Sequence, residues 1–267
     1  MSRVITITSG KGGVGKTTTT ANLGTALALQ GHRVAVIDAD IGLRNLDVVM
    51  GLENRIVYDL VDVIEGRARL RQALIKDKHL PELCLLPAAQ TRDKDAVGPE
   101  EMIALTDQLR QEFDYVLVDS PAGIEGGFRN AIAGADSVLI VTTPEVSAVR
   151  DADRIVGLVE AAEKGPPRLI INRIKPKLVS RGDMLSMEQV VEILAIDLIG
   201  VVPEDETIVT STNRGEVAVF DRSSTAGRSF IDIARRVAGE QVPIMALEDN
   251  QGMLERIFGL FGRRART

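Results

Sequence analysis

A glycine-rich loop near the N-terminus constrains this chain more than any other feature. The β-branched run Val4–Thr8 leads directly into Ser9-Gly10-Lys11-Gly12-Gly13-Val14-Gly15-Lys16-Thr17-Thr18. Two glycines, Gly10 and Gly15, enclose four residues ahead of Lys16-Thr17, which is the phosphate-loop pattern. Glycine lacks a Cβ and tolerates positive φ, so the backbone N–H groups can turn inward around phosphate oxygens. The sequence therefore predicts a strand, a phosphate-binding turn and a helix, in that order.

Each polar group of this loop has a predicted partner on a bound nucleotide. The Lys16 ammonium would reach the β- and γ-phosphates, and the Thr17 hydroxyl would supply an oxygen to Mg²⁺. The helix that begins near Thr18 would point the positive end of its dipole at the anion. The predicted phosphate-binding residues are Gly10, Lys11, Gly12, Gly13, Val14, Gly15, Lys16, Thr17 and Thr18.

The same glycines also spell G-x-G-x-x-G, the fingerprint of a dinucleotide-binding fold. Asp38, at the end of the next predicted strand, stands where such a fold binds a ribose hydroxyl. A dinucleotide site has no use, however, for the Lys16-Thr17 pair or for a further acidic strand end at Asp119. The phosphate loop is therefore favoured, and an oxidoreductase that binds nicotinamide or flavin is the alternative.

A second motif supports a magnesium nucleotide site. The apolar run Tyr115–Asp119 ends in a carboxylate and is followed by the turn Ser120-Pro121-Ala122-Gly123. A buried strand of this kind delivers its terminal acid to the Mg²⁺ shell of a phosphate-loop protein. An acid at a strand end more often caps a helix, and only the pairing with the phosphate loop favours Asp119 as a metal ligand beside Thr17.

Apolar runs alternate along the chain with longer segments of helical periodicity. The runs lack a clean polar alternation, which is typical of parallel strands covered on both faces. We therefore predict an α/β fold, a doubly wound and mainly parallel sheet with helices on both faces, of the phosphate-loop NTPase type. The predicted strands are Val4–Thr8, Val34–Asp38, Cys84–Leu86, Tyr115–Asp119, Val138–Thr142, Leu169–Asn172 and Leu198–Val202. The predicted helices are Thr18–Gln30, Glu100–Glu112, Val146–Glu163, Met187–Leu194 and Ser224–Val237.

Composition limits the class of protein further. The 267 residues, 45% of them apolar, suit a domain with a large core. The single cysteine, Cys84, lies in an apolar run and is expected in the core, which excludes a disulfide or a cysteine-ligated metal within one chain. No apolar run nears the roughly 18 residues of a membrane span, and the N-terminus does not read as a signal peptide. We therefore expect a cytoplasmic protein.

The C-terminal segment differs in charge and pattern from the rest of the chain. Residues 251–267 carry a local charge of +3, against −6 for the whole chain. Four apolar side chains recur there at helical spacing, forming one stripe bordered by arginines, and such a basic amphipathic helix is typical of an in-plane membrane anchor. A helix docked on the protein's own core is the alternative. The predicted membrane-binding residues are Leu254, Ile257, Phe258, Phe261, Arg263 and Arg264.

Lys11 is not required by the general phosphate-loop pattern. The form Lys-Gly-Gly-x-Gly-Lys-Thr resembles the deviant Walker A family of ATPases, which includes MinD, ParA and nitrogenase iron-protein-like members. The resemblance implies ATP and Mg²⁺ as cofactors, hydrolysis of ATP, and a homodimer when ATP is bound. It also implies that Lys11 crosses the dimer interface to the partner's nucleotide, with Lys11, Lys16 and Asp40 as catalytic residues.

Further site residues follow only from this resemblance. The segment Asp38–Asp47 is similar to the family's first switch, in which Asp38 faces the Mg²⁺ shell through water and Asp40 positions the attacking water. The segment Ser120–Glu125 is similar to the second switch, which senses the γ-phosphate. The implied metal ligands are Thr17, Asp38 and Asp119, and the implied adenine-binding residues are Asn172, Arg173 and Pro203.

The C-terminal segment resembles the MinD branch of the family rather than ParA. That branch implies division-site placement, a septum inhibitor (MinC-like) and a hydrolysis-stimulating topological factor (MinE-like) as partners, anionic lipids as the membrane ligand, and no specific nucleic acid. The chain would cycle between the cytoplasm and the cytoplasmic face of the inner membrane. Its predicted organisation is an ATPase domain at 1–237, a linker at 238–251 and a membrane-targeting tail at 252–267. A ParA-like DNA partition ATPase and a flagellar-placement ATPase remain as alternatives.

Overall fold

The computed structural model describes residues 2–92, 96–124 and 126–244, and one sheet runs through this part of the chain. Its strands are β1 (Arg3–Thr8), β2 (Val34–Asp38), β3 (Ile75–Lys76), β4 (Leu83–Leu86), β5 (Tyr115–Asp119), β6 (Ser137–Thr142), β7 (Arg168–Ile174) and β8 (Asp197–Pro203). The helices are α1 (Lys16–Leu29), α2 (Leu46–Val49), α3 (Leu60–Ile64), α4 (Leu70–Ala73), α5 (Pro99–Leu109), α6 (Gly126–Ala133), α7 (Val146–Ala161), α8 (Pro176–Arg181), α9 (Met187–Leu194), α10 (Glu206–Thr212) and α11 (Thr225–Val237). Short 3-10 helices occupy Glu53–Arg55 and Ala218–Phe220.

The strand order is β3-β4-β2-β5-β1-β6-β7-β8. All neighbours pair in parallel except β3, which pairs antiparallel with β4 at the edge. The predicted α/β fold with a mainly parallel sheet is therefore confirmed, and all seven predicted strands are present. Sequence analysis missed β3 because a two-residue edge strand shows no periodicity.

Apolar side chains cover both faces of the sheet. In β5, Leu117 packs in the cluster that includes Leu23 of α1, whereas Val116 and Val118 pack in the cluster that includes Leu105 of α5. Every residue of β5 is buried, as expected for a central parallel strand between two helical layers. Cys84 lies in the second cluster, and burial raises the pKa of its thiol, so it belongs to the core as predicted.

The long helices match the predicted ones to within a few residues. The first begins at Lys16 rather than Thr18, so the phosphate loop passes directly into the helix. The helices that sequence analysis missed have four to eight residues, too short for a clear periodic pattern: α2, α3, α4, α6, α8 and α10. No helix in the described ranges combines the length and apolarity that a membrane crossing demands.

The first residues of the predicted linker are fastened to the domain. The Arg236 guanidinium donates hydrogen bonds to the carbonyls of Val242 (2.7 Å), Pro243 (2.6 Å) and Ile199 (2.9 Å). Residues 238–244 therefore follow the surface beside β8 without forming a helix or strand of their own. The predicted tail at 252–267, with its membrane-binding residues, lies outside the described residues.

Candidate functional site

The phosphate loop, residues 9–15, joins β1 to α1 at the carboxyl edge of the sheet. Gly13 and Gly15 have φ of 79° and 99°, which L side chains rarely adopt. In the described structure no side chain caps α1 and no acidic residue lies in its first turn. The first backbone N–H groups of α1 thus remain available to an anion, as a phosphate site requires.

Two glycines of the loop lie where a side chain could not fit. A Cβ on Gly10 would overlap the backbone carbonyl of Asp151 in α7, and a Cβ on Gly15 would overlap the Asn172 amide. Gly12 is different, since the nearest atom to its Cβ position is the Ala122 Cβ at 4.0 Å. The loop is therefore fixed by close backbone packing at Gly10 and Gly15 but open at Gly12.

This difference gives a testable prediction. We expect Gly10→Ala to lower the thermal unfolding midpoint of the nucleotide-free protein by several degrees, because the backbone of α7 must move and overpacking costs about 1–3 kcal/mol. Gly12→Ala is the matched control and should shift the midpoint by less than about one degree, as expected for an unobstructed surface position. Differential scanning fluorimetry measures both; equal shifts in the two variants would contradict this packing argument.

Two buried carboxylates face each other beside the phosphate loop. The parallel register of β2 and β5 pairs Asp38 directly with Asp119. Both side chains are buried, and Lys16, only 8% exposed, is the cation whose charge acts on Asp119. The hydroxyl of Thr20 lies 3.3 Å from an Asp119 oxygen, and the hydroxyl of Thr17 also acts to lower the pKa of this carboxylate. The structure thus brings Lys16, Thr17, Asp38 and Asp119 together, as the sequence analysis expects.

Electrostatics make this pair receptive to a cation. Desolvation raises the pKa of Asp119, and the charge of Asp38 raises it further, while Lys16 and the two threonine hydroxyls only partly offset this. Desolvation likewise raises the pKa of Asp38, although the backbone hydrogen bonds that its carboxylate accepts act to lower it. Two carboxylates beside one ammonium leave negative charge that a divalent cation would neutralise.

The donor set fits Mg²⁺ held together with a phosphate. In the parts of the chain that the structure describes, no cluster of three or more His, Cys, Asp or Glu could hold a metal alone. Mg²⁺ is commonly bound by one or two carboxylates, substrate phosphates and water, rather than by an all-protein cage. Thr17, Asp119 and Asp38 supply the hydroxyl and carboxylate oxygens such a site needs.

Asp38 also organises the loop that follows it. One of its carboxylate oxygens accepts a hydrogen bond from the backbone N–H of Asp40 at 3.0 Å. The other accepts from the N–H groups of Asn45 and Leu46, each at 3.1 Å. The segment from Asp38 to the start of α2 therefore wraps around this one carboxylate, a role that sequence analysis did not assign to Asp38.

Asp40 lies where the two predicted switches meet. It lines a small cavity of about 20 Å³ together with Pro121 of the second switch and Asn130 of α6. That volume is enough for one water molecule. No residue of the phosphate loop lines this space, and the catalytic role of Asp40 therefore rests on the resemblance.

Lys11 rests on the start of α7 of its own chain. Its ammonium donates to the Ser147 hydroxyl at 3.2 Å and lies 3.9 Å from a Glu145 carboxylate oxygen. The lysine side chain is 43% exposed and that of Glu145 57% exposed. An exposed ion pair of this length contributes only about 0–1 kcal/mol, so Lys11 can leave it at little cost.

The predicted base-binding residues meet at one cavity of about 230 Å³. Asn172 is buried; its amide donates to the Val14 carbonyl at 2.8 Å, and its oxygen accepts from the Arg173 N–H at 2.9 Å. Arg173 adopts a left-handed φ of 57° beside an irregular register between β7 and β8. Asn172 therefore also holds the phosphate loop. The cavity is lined by Thr18, Asn172, Arg173, Pro203, Glu204, Asp205, Ile208 and Val209.

Sequence analysis missed the outer wall of this cavity. Ile208 and Val209 belong to α10, a seven-residue helix with no periodic signal of its own. Asp205 precedes that helix and is recognisable in the sequence only as an acid before a short polar segment. These residues reach the cavity because β7 and β8 are neighbours in the sheet, which the sequence alone does not specify.

The chain is similar to known nucleotide-binding proteins over most of its length. Residues 5–219 match the model of the CobQ/CobB/MinD/ParA nucleotide binding domain. The septum site-determining protein MinD of Bacillus subtilis is 56% identical over 268 residues, 99% of this chain and 100% of that protein. The MinC:MinD cell division protein complex of Aquifex aeolicus matches with a TM-score of 0.86 at 51% identity, over 92% of this chain and 99% of that chain. MinD from Pyrococcus horikoshii complexed with Mg-ADP matches with a TM-score of 0.81 at 30% identity, over 90% of this chain and 97% of that chain.

Proposed function

Since the chain belongs to the CobQ/CobB/MinD/ParA family, among its septum site-determining MinD proteins, we propose that it is a Mg²⁺-dependent ATPase that places the division site. The observation that carries the ATPase part of this proposal is the register-paired Asp38 and Asp119, buried beside Lys16 at the open start of α1. Two carboxylates next to a phosphate-binding loop can serve to bind the metal ion of a nucleotide whose phosphates occupy that loop. Division-site placement is supported by the identity to septum site-determining MinD proteins.

In the proposed reaction, different residues of the site bind the phosphates, the metal ion, the attacking water and the base. The N–H groups of the loop and the Lys16 ammonium hold the β- and γ-phosphates. Thr17, Asp119 and Asp38 would hold Mg²⁺, which when bound would supply positive charge to the transferring phosphoryl group. Asp40 orients the attacking water. Asn172, Arg173 and Pro203 hold the adenine.

We propose that Lys11 makes hydrolysis depend on dimerisation. In one chain its ammonium contacts Ser147 and Glu145 at the start of α7. When ATP draws two chains together, Lys11 leaves this exposed contact and reaches the partner's phosphates. A cation aimed at developing phosphate charge stabilises the transition state of phosphoryl transfer.

Dimerisation also decides whether the protein stays on a membrane. Burying the four apolar tail side chains contributes about 6–12 kcal/mol, whereas ordering about ten residues costs on the order of 10 kcal/mol. One tail therefore binds marginally even with roughly 1 kcal/mol from each arginine. Two linked tails raise avidity by about 10²–10⁴. The proposed cycle is membrane binding as an ATP dimer and return to the cytoplasm after hydrolysis.

Of the two partners proposed for this cycle, the septum inhibitor has a counterpart in a solved complex of a relative, and the topological factor is implied by the family resemblance. A MinC:MinD complex exists for the Aquifex aeolicus protein, and we infer that the ATP-bound dimer of this chain likewise recruits a septum inhibitor of the MinC kind. A MinE-like topological factor would stimulate hydrolysis at the membrane, so that the inhibitor is released there.

Co-sedimentation with liposomes of anionic lipid tests this function. We expect ATP, but not ADP, to drive the wild-type chain onto vesicles, because only the dimer presents two tails. Lys16→Ala and Phe261→Glu should each reduce the bound fraction at least about tenfold. Ile193→Glu is the matched control, since Ile193 is a 51%-exposed apolar side chain on α9, and it should bind like the wild type.

Two outcomes would overturn the cycle. One is vesicle binding that is independent of nucleotide, and the other is binding unaffected by Phe261→Glu. Salt-sensitive DNA binding that Phe261→Glu leaves intact would instead favour the ParA-like partition ATPase, in which the tail arginines meet phosphates.

A further inference from the structure

The outer wall of the base cavity is a helix with little hydrophobic anchoring. In α10 the buried residue is Ser211, and Val209, which lines the cavity, is 61% exposed. Ile208 also lines the cavity and is only partly buried against the core. Apolar packing of α10 on the core therefore rests on Ile208, and polar contacts must add to it to hold the helix in place.

The carboxylate of Asp205 supplies those contacts at the start of α10. One oxygen accepts from the Thr207 backbone N–H at 2.9 Å and from the Thr207 hydroxyl at 2.8 Å, which caps α10. The other accepts from the Ser224 hydroxyl at 2.9 Å, the Thr225 hydroxyl at 3.0 Å and the Ala226 N–H at 3.0 Å. One carboxylate thus joins the starts of α10 and α11.

Helix α11, to which Asp205 joins α10, is packed firmly in the core. The buried residues of α11 include Phe230 and Ile233, and the helix packs against β8 and α1. Behind α10, the chain is held by the Val219 N–H, which donates to the buried Asn22 side chain of α1 at 3.1 Å. The start of α10 is linked to this rigid body through Asp205, and the Thr207 hydroxyl also lies 2.7 Å from the Ser224 hydroxyl.

Hydrogen bonds keep the Asp205 carboxylate ionised. Desolvation acts to raise the pKa of Asp205, but the bonds from Ala226, Thr207 and Ser224 outweigh it and hold the pKa far below its usual range. The carboxylate is therefore ionised across the physiological pH range, where a charged acceptor forms the stronger bonds. Two helix starts directed at one anion add to this stabilisation.

We propose that Asp205 is a positioning residue for the nucleotide base. By tying α10 to α11, it holds the aliphatic side chains of Ile208 and Val209 against the flat face of a purine in the cavity between them and Asn172. It acts through α10 and has no part in binding the phosphates. This inference rests on the proposed nucleotide-binding function and assigns one residue to the base-dependent part of the affinity.

Two substitutions of Asp205 distinguish its connection to α11 from its role as the N-cap of α10. Asp205→Ser keeps an oxygen that can cap α10, because serine is a good N-cap, but it is too short to reach α11. Asp205→Asn keeps the length, but its amide group turns a donor toward the donor groups of α10 or α11. Asp59→Ser is the matched control, because Asp59 caps α3 through Val61 and Asp62, away from the cavity.

Isothermal titration with Mg-ADP and with Mg-pyrophosphate, which has no base, tests the proposal. We expect both Asp205 variants to raise the Kd for ADP about tenfold and to leave the Kd for pyrophosphate within twofold. Their KM for ATP should rise while kcat at saturation stays within twofold, and Asp59→Ser should change neither ligand's affinity.

The results that overturn the proposal are distinct from those that overturn the proposed function. Equal weakening of both ligands would mean a general loosening of the site, and an unchanged ADP affinity in Asp205→Ser would mean that capping alone matters. Either result removes the positioning role. A wild-type protein that binds neither ligand would instead refute the nucleotide-binding function itself.

Discussion

Replacing Lys11 with alanine is expected to lower kcat for ATP hydrolysis by about 10³-fold, the scale at which a cation supplied to the transferring phosphate acts. The same change should leave the unfolding midpoint of the nucleotide-free protein unaltered. Lys11 is exposed and its contacts with Ser147 and Glu145 are weak, so the folded chain loses little without it. ATP-dependent dimerisation, followed by light scattering, should be lost as well.

Lys76→Ala is the control for this prediction, because Lys76 is also exposed but lies on the edge strand β3, away from the phosphate loop. It should hydrolyse ATP and dimerise like the wild type. A loss of less than about tenfold in Lys11→Ala would show that Lys11 does not act on the phosphates. A drop of several degrees in its midpoint would show that its contact with α7 is structural.

Replacing Asp119 with asparagine is expected to abolish Mg²⁺-dependent hydrolysis, by at least about 10²-fold, and yet to stabilise the nucleotide-free protein at neutral pH. In the wild type, burial and the neighbouring Asp38 raise the pKa of Asp119. The asparagine removes a buried charge that Lys16 only partly offsets, and it keeps an oxygen that can accept from Thr20. A buried group whose charge is uncompensated costs stability that a neutral isostere does not.

The pH dependence of this effect has a definite sign. The pKa of Asp119 is raised on folding, so the folded chain binds a proton more tightly than the unfolded chain. The contribution of Asp119 to wild-type stability without nucleotide therefore falls as the pH rises from about 4, the ordinary value for aspartate, toward neutrality. The advantage of Asp119→Asn should be largest near pH 7.5 and should vanish near pH 4. Thermal unfolding across this range, without Mg²⁺, measures it.

Asp38→Asn provides the contrast. Three backbone N–H groups donate to the Asp38 carboxylate, and an amide group in its place would turn a donor toward them. We expect this variant to be less stable than Asp119→Asn at every pH. If Asp119→Asn is instead less stable than the wild type at neutral pH, the two carboxylates do not repel each other as described.

Much of the site could be predicted because it is contiguous in the sequence. Gly10, Gly15, Lys16 and Thr17 act within one turn, so their spacing alone indicates how they can surround a phosphate. The apolar strand that ends at Asp119 could be recognised for the same reason. The roles of Lys11 and Asp40 depended on resemblance, because neither exposure nor spacing assigns them.

The residues around the base cavity, in contrast, are far apart in the sequence, and their contacts could not be predicted from it. Asn172 could be placed at a strand end, but its hydrogen bond to Val14, across 158 residues of chain, could not be expected from the sequence. Neither could the link from Asp205 to the start of α11, because an acid before a helix usually caps only that helix.

The phosphate loop, the alternation of strands and helices, and the basic apolar stripe of the C-terminal segment can be recognised in the local sequence. These follow from spacing and backbone preferences within a few residues. The folded arrangement is needed to show that Asp38 faces Asp119, that Asn172 holds the phosphate loop, and that α10 closes the base cavity. Those contacts depend on strand order and register, which are settled by packing between residues far apart in the chain.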